Sequence, residues 1–252
     1  MITIKNNSSI QKMEMAGLLL AEVFDLLKPS LVAGVSTQEL DALIVQLLIE
    51  KKLISQMRGY RGYKHVSCIS INDVVVHGIP AAYTILKDGD LVKVDVCAAW
   101  QGYCADMARC FFVGIPDKSK QHFVEVAQMA LDKGIEQAKP GNKLSDISAA
   151  IQQEVEKYGY GVVRDFAGHG IGKKMHEDPE ILNYGKPGNG PILKPGMAFA
   201  LEPMITMGKF NVYIAEDGWT VKTSDKSLAA HVEDTIIIME NGPRIVTRSK
   251  QV

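Results

Sequence analysis

Apolar residues recur at helical spacing in four stretches of this chain, and the remaining apolar runs are short enough to be strands. Intervals of three and four predict a helix over residues 9–27 and another over 118–137. A second helix follows each. Ser36-Thr37-Gln38-Glu39 is a capping box, in which hydroxyl and carboxylate each satisfy an unpaired amide, and it opens an amphipathic stretch to Lys52. Ser145, shortly after Pro140-Gly141, opens a similar stretch to Lys157. Strand patterns then cover 91–97 and 103–113 in the first half, joined through Gln101-Gly102, and end or begin with a carboxylate at Glu202 and Glu233 in the second.

The halves repeat one another. Leu86-Lys87-Asp88-Gly89 and the apolar run to Asp95 recur 107 positions later as Leu193-Lys194-Pro195-Gly196 and the run to Glu202. The same offset places Gly34 on Gly141, Glu39 on Asp146 and Ile44 on Ile151. Two distant matches at one offset point to a duplicated unit of two helices followed by strands, over about 1–115 and 116–252. Gly114-Ile115-Pro116-Asp117 between them is a turn and no tether. Strands with one apolar face need cover, so a single domain over 1–252 is expected, with both halves around one sheet and a site at the seam.

Composition narrows the function. With 46% hydrophobic residues in 252, the chain can bury a core without disulfides, and Cys68, Cys97, Cys104 and Cys110 have neither a zinc-knuckle nor a secreted-framework spacing. Lys and Arg total 28 against 29 Asp and Glu, which disfavours a broad nucleic-acid or anionic-lipid surface. The N-terminal stretch has no signal-peptide pattern and no apolar run nears the roughly 20 residues that cross a bilayer. A cytoplasmic protein is expected, with neither membrane nor nucleic acid as partner.

Acids inside apolar strands carry the chemistry. If Gln101-Gly102 is a two-residue hairpin loop, Cys97 faces Asp106 and Asp95 faces Ala108, so Asp95 and Asp106 share a face. Such diagonal neighbours lie roughly 7–8 Å apart at the backbone, and their carboxylates can converge on cations about 3.5–4 Å apart. A three-residue loop without a bulge would put them on opposite faces. The repeat sets Glu202 on Asp95, and Glu233 on Asp106 after an insertion of 20 residues. A lone acid in a strand is usually solvated or paired. Four in two symmetric pairs would repel, and two divalent cations would neutralise them. His169, between Gly168 and Gly170, adds a nitrogen donor, and this oxygen-rich set suits manganese, iron, cobalt or zinc. His77 before a turn and His176 in Met175-His176-Glu177-Asp178-Pro179 are either placed for chemistry or an ordinary core and an ordinary loop histidine.

The motifs Ser70-Ile71-Asn72-Asp73 through Pro80, Gly168 to Gly172, Leu201-Glu202-Pro203-Met204 and Asp217-Gly218-Trp219-Thr220 stand in an order and spacing that resemble the type I methionine aminopeptidases, members of metallopeptidase family M24. The resemblance runs over essentially the whole chain. It implies the pita-bread fold, an α+β arrangement of two pseudo-symmetric halves around a curved, mostly antiparallel sheet. It also implies that Asp95, Asp106, His169, Glu202 and Glu233 bind two divalent metals, with Asp106 and Glu233 bridging. Glu202 would carry the proton of an activated water, and His77 and His176 would position the substrate amide. Met57, Tyr60, Tyr63, Cys68, Met175 and Trp219, together with His77 and His176, would form the substrate site, in which an unbranched methionine side chain fits. Tyr60 and Tyr63 can equally be read as ordinary core aromatics. The implied substrates are peptide and nascent-chain N-termini with a small second residue, met by a monomer, with the ribosome as a partner suggested by the substrate alone.

Several positions depart from the pattern. Met57 and Met175 stand where relatives commonly carry cysteine and phenylalanine, and Cys97, Cys104, Ala105, Met107 and Ala108 replace residues usual around the first two acids. Lost hydroxyls remove hydrogen bonds that commonly tune a metal site by about 10–100-fold. Two other classes come from the same scaffold: an Xaa-Pro or dipeptide peptidase, which usually carries an additional N-terminal domain, and a non-catalytic binding protein, which generally loses ligands.

Overall fold

The computed structural model describes residues 1–248. Helices α1 (Asn7–Leu27) and α2 (Thr37–Glu50) lead the first half, and α3 (Lys118–Gln137) and α4 (Leu144–Glu156) lead the second. Asn6 caps α1 by accepting from the Ser9 amide, Asp117 caps α3 by accepting from Lys120, and α2 carries the reciprocal Ser36–Glu39 box. α4 begins one residue before Ser145 because the Asp146 carboxylate accepts the Lys143 amide at 2.7 Å, which fixes the first turn without a hydroxyl ahead of it.

First-half strands are β1 (Ile54–Ser55), β2 (Cys68–Ile71), β3 (Val74–Val76), β4 (Leu91–Trp100) and β5 (Tyr103–Phe112). The second half gives β6 (Gly161–Val162), β7 (Ala167–Gly170), β8 (Glu177–Leu182), β9 (Ala198–Leu201) and β10 (Met204–Thr206). It continues through β11 (Val212–Ile214), β12 (Val221–Thr223), β13 (Ala229–His231), β14 (Glu233–Met239) and β15 (Gly242–Ile245). Nine strands make the central sheet in the order β1-β4-β5-β14-β9-β7-β8, with β2 also on β4 and β15 also on β14. Its pairings are antiparallel, and β5 meets β14 where the halves join. Two small sheets, β13-β10-β6 and β11-β12-β3, flank it.

The duplication recurs in the hydrogen bonds. The Gly34 amide donates to Leu86 O and the Gly141 amide to Leu193 O, while the Leu86 amide returns to Val35 O and the Leu193 amide to Asn142 O. Each partner is displaced by 107 residues. Gly34 and Gly141 both have φ +93°, a conformation that costs a residue with a Cβ far more than glycine.

Helices cover one face of the sheet. Val92, Val94, Val96 and Ala98 of β4 pack with Leu20, Phe24, Leu40 and Ile44. Phe199, Leu201, Ile236 and Ile238 pack with Phe123, Leu131, Ile147 and Ile151. Burying each of the Val, Leu, Ile and Phe side chains among these contributes about 1.5–3 kcal/mol. Because side chains alternate along a strand, Asp95 and Cys97 of β4 and Cys104 and Asp106 of β5 point to the other face. No helix among the described residues is long and apolar enough to cross a membrane.

Candidate metal centre

The turn decides where the acids go. Gln101 and Gly102 have φ +47° and +78°, the pair of positive values that a type I′ hairpin requires and that matches the twist of its strands. Trp100 therefore faces Tyr103, Cys97 faces Asp106 and Asp95 faces Ala108. Neighbouring strands extend these pairs into two rows. Cys68, Asp95, Ala108 and Glu233 follow one another across β2, β4, β5 and β14. Two residues along, Asp106 meets Thr235, whose hydroxyl accepts from the Asp106 amide and donates to the Asp106 carbonyl, each at 2.8 Å. Thr235 then pairs with Ala200, and Ala200 with His169.

Glycine on each side of His169 allows this. A methyl group at Gly168 would run into the Ala200 carbonyl, and one at Gly170 into that of Asp178. The imidazole is thus held between β9 and β8. His169 Nδ1 lies 3.0 Å from the Gly170 carbonyl, which can only accept, so Nδ1 carries the proton and the Nε2 lone pair faces the acids. Nε2 is 3.5 Å from Glu202 Oε1 and 3.8 Å from Asp106 Oδ2.

Four carboxylates in one pocket cannot all ionise unaided. Burial first, then the charges of its neighbours, raises Asp95, Glu202 and Glu233 well above the usual carboxylate range. Burial pushes Asp106 up to about 6, against hydrogen bonds from the Cys97 thiol and the Met107 amide. Among the described residues the ion-pair contacts of Asp106, Glu202 and Glu233 are to histidines alone, none to Lys or Arg. Those histidines are neutral, since burial brings His169 and His231 each down to about 3. Glu233 Oε1 and His231 Nε2 are buried without a hydrogen-bond partner. Donor atoms of Asp106, His169 and Glu233 lie within 4.8 Å of one another, as do those of Glu202, His231 and Glu233. Excess negative charge, orphaned donors and lone pairs turned inward are what a divalent cation would satisfy, so the residues fit one.

A cavity of about 910 Å³ opens over these groups, and all thirteen side chains singled out from the sequence line it. Tyr63 and Trp219 face each other at 5.0 Å between ring centres, and the Tyr63 hydroxyl donates to Ser67 O at 2.8 Å and accepts from Cys68 Sγ. With Met57 and Met175 they form an apolar cluster beside the acids. His77 stands edge-on to Trp219 and to Phe166 and is lowered to about 4, by burial and then by His176. His176 packs edge-on against His169 and has Nδ1 3.2 Å from the Tyr60 hydroxyl.

Phe166, Met204 and His231 were not legible as site residues. Phe166 and Met204 line the cavity but belong to no acid pair. His231 stands two residues before Glu233 but ends a separate strand, so strand alternation does not carry from one to the other.

A family model described as metallopeptidase family M24 matches residues 11–240. The methionine aminopeptidase of Clostridium acetobutylicum is 45% identical over 98% of this chain and 99% of its own. That of Escherichia coli K12 is 43% identical over 99% and 95%. The crystal structure of the Thermotoga maritima methionine aminopeptidase superposes with a TM-score of 0.97 at 42% identity, over 99% of this chain and all of that one. The prolidase of Pyrococcus furiosus gives 0.78 at 25% identity, over 98% of this chain and 66% of its own.

Proposed function

The chain belongs to metallopeptidase family M24, with the pita-bread α+β fold, and from that premise we propose that it removes the N-terminal methionine from peptides and nascent proteins whose second residue is small. The convergence of four carboxylates and the His169 lone pair on one face, beside the apolar cluster of Met57, Tyr63, Cys68, Met175 and Trp219, carries this reading. Asp95, Asp106, His169, Glu202 and Glu233 would hold two divalent ions, and cobalt, manganese, iron and zinc all suit this donor set. When bound, such ions acidify a water and polarise the scissile carbonyl.

The chain's own residues do the rest. Met57, Tyr63, Cys68, Met175 and Trp219 take the methionine side chain, in which sulfur-to-ring contacts of about 0.3–1.5 kcal/mol favour a thioether over an aliphatic group. Glu202 accepts the water's proton and returns it to the departing amine. His176, with Nδ1 3.2 Å from the Tyr60 hydroxyl, and His77 orient the peptide amide. N-termini of new chains become accessible at the ribosome, so on the same reading the protein acts there, in the cytoplasm.

A panel of peptides beginning Met-Ala, Met-Gly, Met-Lys and Ala-Ala, assayed with each of the four metals, tests the proposal. Methionine release from the first two alone is expected. No release with any metal would refute it.

A further inference from the structure

His231 has no part in that scheme. It ends β13, 2% exposed, opposite Met204 of β10. Its carbonyl accepts from Cys110 Sγ, so the backbone is held from both sides. Its Nε2 has no hydrogen-bond partner and lies 3.5 Å from Glu202 Oε2 and 4.0 Å from Glu233 Oε2. N–H···O hydrogen bonds end near about 3.2 Å, so both gaps are too long for one. They have the length expected of two ligands on one cation. Donors each about 2.1 Å from a metal and subtending a right angle or more are separated by roughly 3–4 Å.

The same spacing recurs at His169, whose Nε2 is 3.5 Å from Glu202 Oε1. Glu202 thus stands between two imidazoles, one at each carboxylate oxygen. Glu233 Oε1, buried and unpartnered, adds an acceptor with nothing to bind. We propose that His231 Nε2 is a second nitrogen ligand of the metal centre, binding together with Glu202 and Glu233. This rests on the metallopeptidase reading and refines it. A second imidazole shifts the donor set towards zinc, cobalt and iron and away from the all-oxygen preference of magnesium.

X-ray absorption at the metal edge of the full chain, stripped with chelator and reloaded with two equivalents of cobalt, counts the imidazoles. Two per chain are expected in the wild type and one in His231→Gln, whose amide can still donate to Glu202. Thermal melts of the two metal-free proteins check that the variant folds. One imidazole in the wild type overturns the proposal and leaves the metallopeptidase reading intact, even if the variant does not fold. An unchanged count in a folded His231→Gln does the same. A wild type that binds no cobalt overturns both.

Discussion

Loading the chelated protein with a divalent cation must release protons. Without a cation, burial and mutual repulsion hold Asp95, Glu202 and Glu233 well above the ordinary carboxylate range, and Asp106 at about 6. Their folded pKa values are raised, so the stability they contribute is full below the unfolded value near about 4 and is lost as pH climbs through the folded values. At pH 7 the folded cluster therefore still carries protons, which the cation displaces because its ligands must be ionised. Each displaced proton adds about 1.4 kcal/mol of apparent binding free energy per pH unit. From pH 6.5 to 8 one such proton strengthens loading by about 2 kcal/mol, roughly 30-fold.

Titration calorimetry with manganese at pH 7, in buffers of different ionisation enthalpy, reads the number directly, and at least one proton per chain is expected. His77, His169 and His231, at about 4, 3 and 3, are neutral across this window and do not contribute. Lys93 does titrate in it: burial lowers this ammonium to about 7, with Nζ donating to Asn72 O at 2.9 Å. Repeating the titration in Lys93→Met subtracts its share. Zero protons released, or an affinity flat from pH 6.5 to 8, would mean that the carboxylates are already ionised and do not crowd one another.

Glu202→Ala should abolish methionine release and lower bound metal measured by elemental analysis; unchanged activity would remove its assigned role. His77→Ala should keep the metal content and lower kcat by roughly 100-fold or more, the cost of losing a group that stabilises developing charge, so a normal kcat would exclude it. Saturating metal at about 100 times its Kd should add about 2.7 kcal/mol to stability, a rise of roughly 5–11 °C in Tm for a domain of this size, seen by calorimetry with and without chelator. Arg109→Met breaks the 2.6 Å pair with fully buried Asp234 and should cost about 3–5 kcal/mol in urea denaturation; an unmoved midpoint would show that Arg248 and the Thr247 hydroxyl, which also donate to Asp234, satisfy that acid without it.

That the acids share one face was legible because local rules fix it. A two-residue Gln-Gly loop sets the register, the register sets the face, and the 107-residue offset carries the pattern into the second half. His231 was not, because β13 and β14 are separate strands broken at Val232, and alternation across a break has no rule in the sequence. α4 starts one residue earlier than Ser145 suggests, because the Asp146 carboxylate and not a hydroxyl does the capping. The small sheet β11-β12-β3 was not read at all: it joins residues more than 130 positions apart through short strands with no repeat to reveal them.

That small sheet shows why duplication alone does not make the site. The first-half acids are separated by a tight hairpin, the second-half acids by 20 further residues. β11 and β12 lie among those residues, and Val221 of β12 pairs with Val76 of β3. The loop between them brings Trp219 to Tyr63 and His77. His77 follows β3 with φ +59°, a value that non-glycine residues rarely adopt and that clusters at functional sites. At Gly78 a methyl group would strike the Ile69 carbonyl, so the backbone there has no slack and the imidazole is fixed over the cavity. The symmetric core therefore collects the charge, and the asymmetric insertion builds the aromatic wall beside it, to which the proposed function gives the task of recognising the side chain. Trp219→Ala should separate these two tasks: metal content unchanged, KM for Met-Ala peptides raised by tenfold or more, and the preference for methionine over leucine reduced. Metal loss in that variant would show that the insertion also holds the acids and would refute the division.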